Sequence, residues 1–144
     1  MADTIGRFDE EHAFLSNFYS CELKFEGRSY ATAEHAFQAA KTDDPAEREK
    51  VRAARSAGSA KALGKRVTLR KGWDKERVSV MEAVLRAKFA DPGLRARLLA
   101  TGSAELVEGN SWNDTFWGVC RGRGQNWLGK LLMKLRAEVE LEDG

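Results

Sequence analysis

The sequence predicts an α+β fold, a mainly helical single domain packed around a small, mostly antiparallel β-sheet. Three observations carry that expectation. A chain of 144 residues, 42% of them apolar, suits one domain with a real core. Apolar residues recur at helical spacing in several separate segments. Between those segments lie short runs near residues 4–8, 21–25, 28–31, 104–108 and 116–120 that read as strands, with alternation at 21–25 and 28–31.

In chain order, Thr4 to Phe8 reads as a first strand, and Phe14-Leu15-Ser16-Asn17-Phe18-Tyr19 follows as an aromatic segment. Its rings suit either a stacking wall with hydrogen-bonding tips or core filling. Glu26-Gly27 reads as the turn of a hairpin between residues 21–25 and 28–31. Thr32 is a candidate N-cap for a helix through Lys41. On that helix Ala33, Ala36, Phe37 and Ala40 share an apolar face, while Glu34, Gln38 and Lys41 line up along its edge. This pattern fits a surface helix with its charges in water, or a helix that aims a carboxylate, an amide and an ammonium at one place.

Asp44-Pro45 opens the next helix, Ala46 to Ala54, and Ser56-Ala57-Gly58 divides it from another at Ser59 to Gly64. The arginines and lysines here read as a solvated face. Asp74 is a candidate cap for a long helix to about Ala90, with a stripe of Val78, Met81, Val84, Leu85 and Phe89. Lys88 falls in the middle of that stripe. A lysine there snorkels past the helix end, or is a desolvated amine of the kind nucleophilic lysines require. Leu94 to Ala100 forms a further helix, and Ala104 to Glu108 a strand. The loop from Gly109 to Cys120 carries Trp112, Asn113, Asp114 and Trp117. Arg121-Gly122-Arg123-Gly124-Gln125-Asn126 then leads into a last helix to about Glu140, buried through Leu128, Leu131, Leu132, Leu135 and Val139, with a short polar tail at 140–144. That Gly-rich turn is either a phosphate cradle with Arg121 or Arg123 beside it, or a plain tight turn.

Charge and cysteine usage exclude several classes. Lys plus Arg number 24 against 22 Asp plus Glu, too even for a general nucleic-acid coat. Cys21 and Cys120 stand far apart with no zinc spacing, so neither a disulfide framework nor a metal site is expected. The start lacks a secretory pattern and no stretch is long enough to cross a bilayer, which predicts a cytoplasmic protein with no membrane partner. The remaining acids, amines, tryptophans and the Gly/Arg turn suit a small anionic ligand with a flat ring and chemistry at a glycosidic carbon.

Six motifs in order then resemble one known family. Leu15-Ser16-Asn17-Phe18-Tyr19, Ala33-Glu34-His35-Ala36-Phe37-Gln38-Ala39-Ala40-Lys41, Ala87-Lys88-Phe89, Leu99-Ala100-Thr101-Gly102, Asn113-Asp114-Thr115-Phe116-Trp117-Gly118 and Gly124-Gln125-Asn126-Trp127-Leu128-Gly129 look like the successive signatures of the NADAR domain, whose bacterial members are called YbiA-like. The match spans about residues 8–136. It implies an N-glycosidase with no cofactor, acting on early phosphoribosyl-aminopyrimidine intermediates of riboflavin synthesis, or on ADP-ribose joined to the amino group of guanine in nucleic acid. The second branch implies pairing with an ADP-ribosyltransferase. The family's functional glutamate, tryptophan and aspartate would fall on Glu34, Trp73 and Asp114, and its lysines on Lys41 and Lys88. Expected substrate contacts are Asn17, Phe18, Trp73, Asn113, Trp117, Gly118, Arg121, Gly124 and Asn126. Trp117-Gly118-Val119-Cys120-Arg121 departs from the more glycine-rich run of many YbiA-like members. The competing class is a non-catalytic module that binds ADP-ribose, NAD or nucleic acid.

Overall fold

Local signals in the sequence place most of the helix starts. In the computed structural model, which describes residues 3–143, Thr32, Asp44, Ser56 and Asp91 each accept from a backbone N–H of the helix they open. In chain order the elements are β1 (Thr4–Ile5), a 3-10 helix (Glu10–Leu15), β2 (Leu23–Phe25), β3 (Arg28–Tyr30), α1 (Ala33–Ala39), α2 (Pro45–Arg52), α3 (Ala57–Gly64), α4 (Trp73–Lys88), α5 (Pro92–Ala100), β4 (Glu105–Leu106), β5 (Gly109–Asn110), β6 (Val119–Cys120) and α6 (Trp127–Asp143).

These elements form two compact units. Among the described residues, 17–88 make one, and 3–16 with 89–143 make the other. In the first unit α1 packs against α2, α3 and α4. All seven of its residues are buried, because alanines at 33, 36 and 39 let the neighbouring helices approach closely. Leu23, Tyr30, Val51, Ala60 and Val84 complete that core. The β2–β3 hairpin is antiparallel, with Phe25 opposite Arg28. Both turn residues, Glu26 and Gly27, have positive φ, as a two-residue turn with the right twist requires.

In the second unit α6 packs on α5 and β4. Leu128, Leu131, Leu132, Leu135 and Val139 are all buried, as their spacing predicts. Arg136 Nη1 donates to Thr101 Oγ1 at 2.8 Å, and Arg95 pairs with Glu142 and Asp143, so both ends of α5 are tied to α6. Phe116 stacks edge-on against Trp117 with centroids 4.8 Å apart.

The α+β class holds, but its strands are shorter and differently paired than expected. Among the described residues they form three two-stranded ladders, of which β1–β4 and β5–β6 are parallel. The ladder β5 at Gly109–Asn110 had no alternating pattern to announce it. Asp74 does not cap α4; the helix already begins at Trp73, and Asp74 lies in its first turn, where its charge suits the helix dipole. Helix α3 starts two residues earlier than expected, with Ser56 as its cap. Residues 140–143 are the last turn of α6 rather than a tail, while Gly144 lies outside the described residues.

Candidate active site

The residues singled out from the sequence fall in both units. Asn17, Phe18, Glu34, Lys41, Trp73 and Lys88 belong to the first, and Asn113, Asp114, Trp117, Gly118, Arg121, Gly124 and Asn126 to the second.

In the first unit the structure draws the α1 row together. Thr32 Oγ1 accepts from His35 N at 3.1 Å and Asn17 O accepts from Glu34 N at 2.9 Å, so the first turn is capped from two sides. His35 Nε2 donates to Ala54 O at 3.0 Å when it carries the proton, which leaves Nδ1 to accept from the Thr32 hydroxyl at 2.7 Å. At the other end Arg70 N donates to Lys41 O and its guanidinium to Ala40 O, an arrangement that also places a cation where the helix dipole favours one.

Between those caps Glu34 is buried at 7% exposure, and Gln38 Nε2 donates to its Oε2 at 2.6 Å. Burial pushes the Lys41 ammonium below the usual lysine range, and the Glu34 carboxylate offsets part of that. Glu34, Gln38 and Lys41 therefore do form one row, with Glu34 and Gln38 buried and Lys41 half-buried.

Two carbonyl oxygens here, Asn17 Oδ1 and Gln38 Oε1, are buried with no hydrogen-bond partner among the described residues. Each such group costs about 1–3 kcal/mol, so the cluster is bought at the expense of stability. Asn17 Nδ2 donates weakly to Met81 Sδ at 3.4 Å.

Lys88 is 1% exposed and does not snorkel. Its ammonium lies 5.8 Å from the Tyr19 ring centroid. Desolvation pulls its pKa down to about 8 from 10.5, against a small opposing effect of Cys21. Phe18 is half exposed, whereas Trp73 is buried. The Trp73 indole meets Phe37 with centroids 5.3 Å apart and carries the Arg70 guanidinium 5.5 Å from its ring. Trp73 is thus packed between Phe37 of α1 and the Arg70 side chain.

In the second unit the Gly109–Asn126 segment is held by its own polar groups. Asp114 Oδ1 accepts from the backbone N–H of Phe116 and Trp117 at 3.1 and 2.9 Å. Asn110 clamps Asp114 from the other side through its amide N–H to Asp114 O and its carbonyl from Asp114 N. Asn113, at φ +66°, accepts from Arg121 Nη1 at 3.0 Å.

The end of the Gly-rich turn and the start of α6 are tied to the preceding loop: the N–H groups of Gln125, Asn126, Trp127 and Leu128 donate to the carbonyls of Thr115, Gly118, Phe116 and Trp117. A Cβ on Gly124 would stand 2.0 Å from Gly118 O, and one on Gly118 would stand 1.8 Å from Glu108 Oε2. Asn126, buried at φ +54°, joins β4 to α6 by donating to Leu106 O and accepting from Glu108 N.

A feature the sequence reading missed lies in this unit, a cleft of about 510 Å³ lined by Arg7, Ser16, Glu108, Asn110, Trp112 and Arg121 among others. Trp112 is 58% exposed at this cleft, and Arg7 pairs with Asp9 at 3.2 Å. An indole and guanidinium groups can receive a flat ring and an anion. Its lining comes from segments about a hundred residues apart, so no local pattern could mark it. Among the described residues no group of three or more His, Cys, Asp or Glu side chains is placed to hold a metal ion. No helix there is long and apolar enough to cross a membrane.

The fold and its motifs match proteins already known. The NADAR domain model matches residues 5–140. N-glycosidase YbiA of Escherichia coli (strain K12) is 41% identical over 149 aligned residues, covering 99% of this chain and 92% of that one. The NMR structure of E. coli YbiA superposes with a TM-score of 0.88 at 39% identity, over 99% of this chain and 89% of that one. Riboflavin biosynthesis protein VVA0006 of Vibrio vulnificus (strain YJ016) is 41% identical over 92% of this chain but only 37% of its own length. The chain belongs to the NADAR family. Within that family it is an N-glycosidase, a hydrolase of glycosyl bonds.

Proposed function

We propose that this enzyme cleaves the bond between ribose C1′ and an exocyclic amine of a heterocycle, with phosphoribosyl-aminopyrimidines as its substrates and Glu34 as its catalytic carboxylate. The observation that carries the reading is the α1 row: a buried carboxylate, oriented by an amide and followed two turns on by an amine of depressed pKa. The name of the Vibrio relative, a riboflavin biosynthesis protein, supports the aminopyrimidine branch.

Hydrolysis breaks C1′–N and forms C1′–O. Positive charge builds on C1′ as the bond stretches, and the departing amine must gain a proton while water loses one. Glu34 stabilises that charge and takes the proton from water. Lys41, a stronger acid than an ordinary lysine because burial disfavours its charge, gives a proton to the leaving amine. Asp114 and Asn113 shape the loop of the second unit, and Trp73 packs against Phe37 of α1.

The lowered pKa of Lys88 favours a second route. At pH 7 roughly a tenth of it is neutral, against far less for an ordinary lysine. Its amine attacks C1′ of the ring-opened sugar, the heterocyclic amine leaves, and water hydrolyses the resulting Schiff base. Borohydride added during turnover traps that adduct on a Lys88 peptide; absence of the adduct leaves the chemistry with Glu34.

A paired chromatographic assay tests the proposal. The protein meets phosphoribosyl-aminopyrimidine and, separately, an oligonucleotide carrying ADP-ribosylated guanine. Release of ribose 5-phosphate is expected, and Glu34→Gln lowers it roughly a hundredfold or more with the fold intact. Release of ADP-ribose instead moves the enzyme to the nucleic-acid branch and makes a pairing with an ADP-ribosyltransferase the natural next test. Binding without cleavage supports the binding-module alternative.

A further inference from the structure

We infer that Gln38 is a positioning residue for Glu34, and that Gly64 of α3 sets the orientation of its amide. This rests on the reading of Glu34 as the catalytic carboxylate. The Gln38 side chain is buried, with Nε2 2.6 Å from Glu34 Oε2. Its other end, Oε1, has no hydrogen-bond partner among the described residues.

The reason lies across the helix interface. A Cβ on Gly64 would stand 1.9 Å from Oε1, 2.6 Å from Cδ and 3.0 Å from Cβ of Gln38. The amide is laid flat on the α3 backbone at a position that has no side chain, and no other residue type leaves that space.

An amide in this slot has two settings. Turned over, it would face the Glu34 carboxylate with its own carbonyl oxygen, two acceptors in contact. The observed setting gives the N–H to the carboxylate and leaves the oxygen against Gly64, where nothing donates to it. An apolar side chain of the same length would pack there without an unpaired oxygen. What the glutamine supplies instead is a fixed donor to one oxygen of Glu34, which holds the carboxylate plane.

A direct hydrogen-bond readout and a kinetic one test this together. In the ¹⁵N-labelled full-length protein, the Gln38 side-chain NH₂ should show one downfield proton protected from exchange, and that signal should vanish in Glu34→Ala and in Gly64→Ala. With the substrate that turns over in the paired assay, Gln38→Met should lower kcat roughly ten- to a hundredfold and change KM by less than about threefold. Gly64→Ala, whose new methyl displaces the amide, should do the same, with thermal melting to confirm that both variants fold.

Gln38→Glu separates positioning from packing. Its carboxyl can donate to Glu34 only when protonated, because two carboxylates so close share a proton. Turnover relative to wild type should therefore survive on the acid side and fall as pH rises, at pH values where melting shows the variant still folded, a dependence a merely structural role would not produce. An unprotected, unshifted amide overturns the inference. So does wild-type turnover in Gln38→Met while Glu34→Gln is inactive, which leaves the reading of Glu34 standing. Full turnover in Glu34→Gln removes that reading, and the inference with it.

Discussion

Replacing Lys88 with methionine should make the protein more stable, by an amount that depends on pH. Lys88 is 1% exposed, and its pKa falls to about 8 in the folded chain from 10.5. A cation whose pKa is lowered by folding binds fewer protons folded than unfolded, so it opposes folding. The full penalty is present below pH 8, and it is relieved as pH rises towards 10.5. At 1.36 kcal/mol per unit, the shift corresponds to about 3 kcal/mol at pH 7 and about 1 kcal/mol at pH 9.5. Methionine has a similar length, no charge and a flexible thioether that fits the same buried space. Lys88→Met should therefore gain about 3 kcal/mol at pH 7, and its advantage should shrink by about 2 kcal/mol at pH 9.5. Urea unfolding of both proteins at the two pH values measures it, alongside a rise in Tm of roughly 10 °C at pH 7. A gap that does not change with pH refutes the reasoning, as does a variant less stable than wild type at pH 7. Turnover measured on the same samples adds the functional half: if Lys88 attacks the sugar, the more stable variant is the inactive one, a trade of stability against activity.

Other substitutions probe the second unit. Asn126→Ala leaves Leu106 O and Glu108 N without their side-chain partners and puts alanine at φ +54°, and should cost about 3 kcal/mol in urea unfolding; a loss under about 1 kcal/mol would mean that β4 and α6 do not depend on this joint. Gly124→Ala forces a methyl to within 2.0 Å of Gly118 O at φ +151°, and should leave little folded protein by circular dichroism; a wild-type melting curve would show that the turn can open at no cost.

The Glu34 and Asn126 clusters show how differently sequence and structure contribute. Thr32 as a cap, the alanine face and the i, i+4, i+7 row of Glu34, Gln38 and Lys41 are consequences of helical geometry, so they were legible in a single stretch. The hairpin turn at Glu26-Gly27 and the five buried residues of α6 were legible for the same reason. That the Glu34 row is buried was not, because burial comes from α2, α3 and α4 closing over α1, and nothing in residues 33–41 encodes their arrival. The same stretch fits a wet surface helix equally well until those neighbours are placed.

The chain by itself determined its class, its helices, its family and the identity of the acids and amines, since propensity, capping and periodicity act over a few residues. Tertiary structure alone decided the parallel pairing of β1 with β4 and of β5 with β6, because a ladder of two residue pairs carries no local signal of which segment its partner is. It also decided that the N–H groups of residues 125–128 bond the carbonyls of residues 115–118, and that Trp73 is buried against Phe37. Above all it decided that Lys88 pays for its place in an apolar stripe with a depressed pKa, because the field and solvation at an amine depend on everything packed around it and not on its neighbours in sequence.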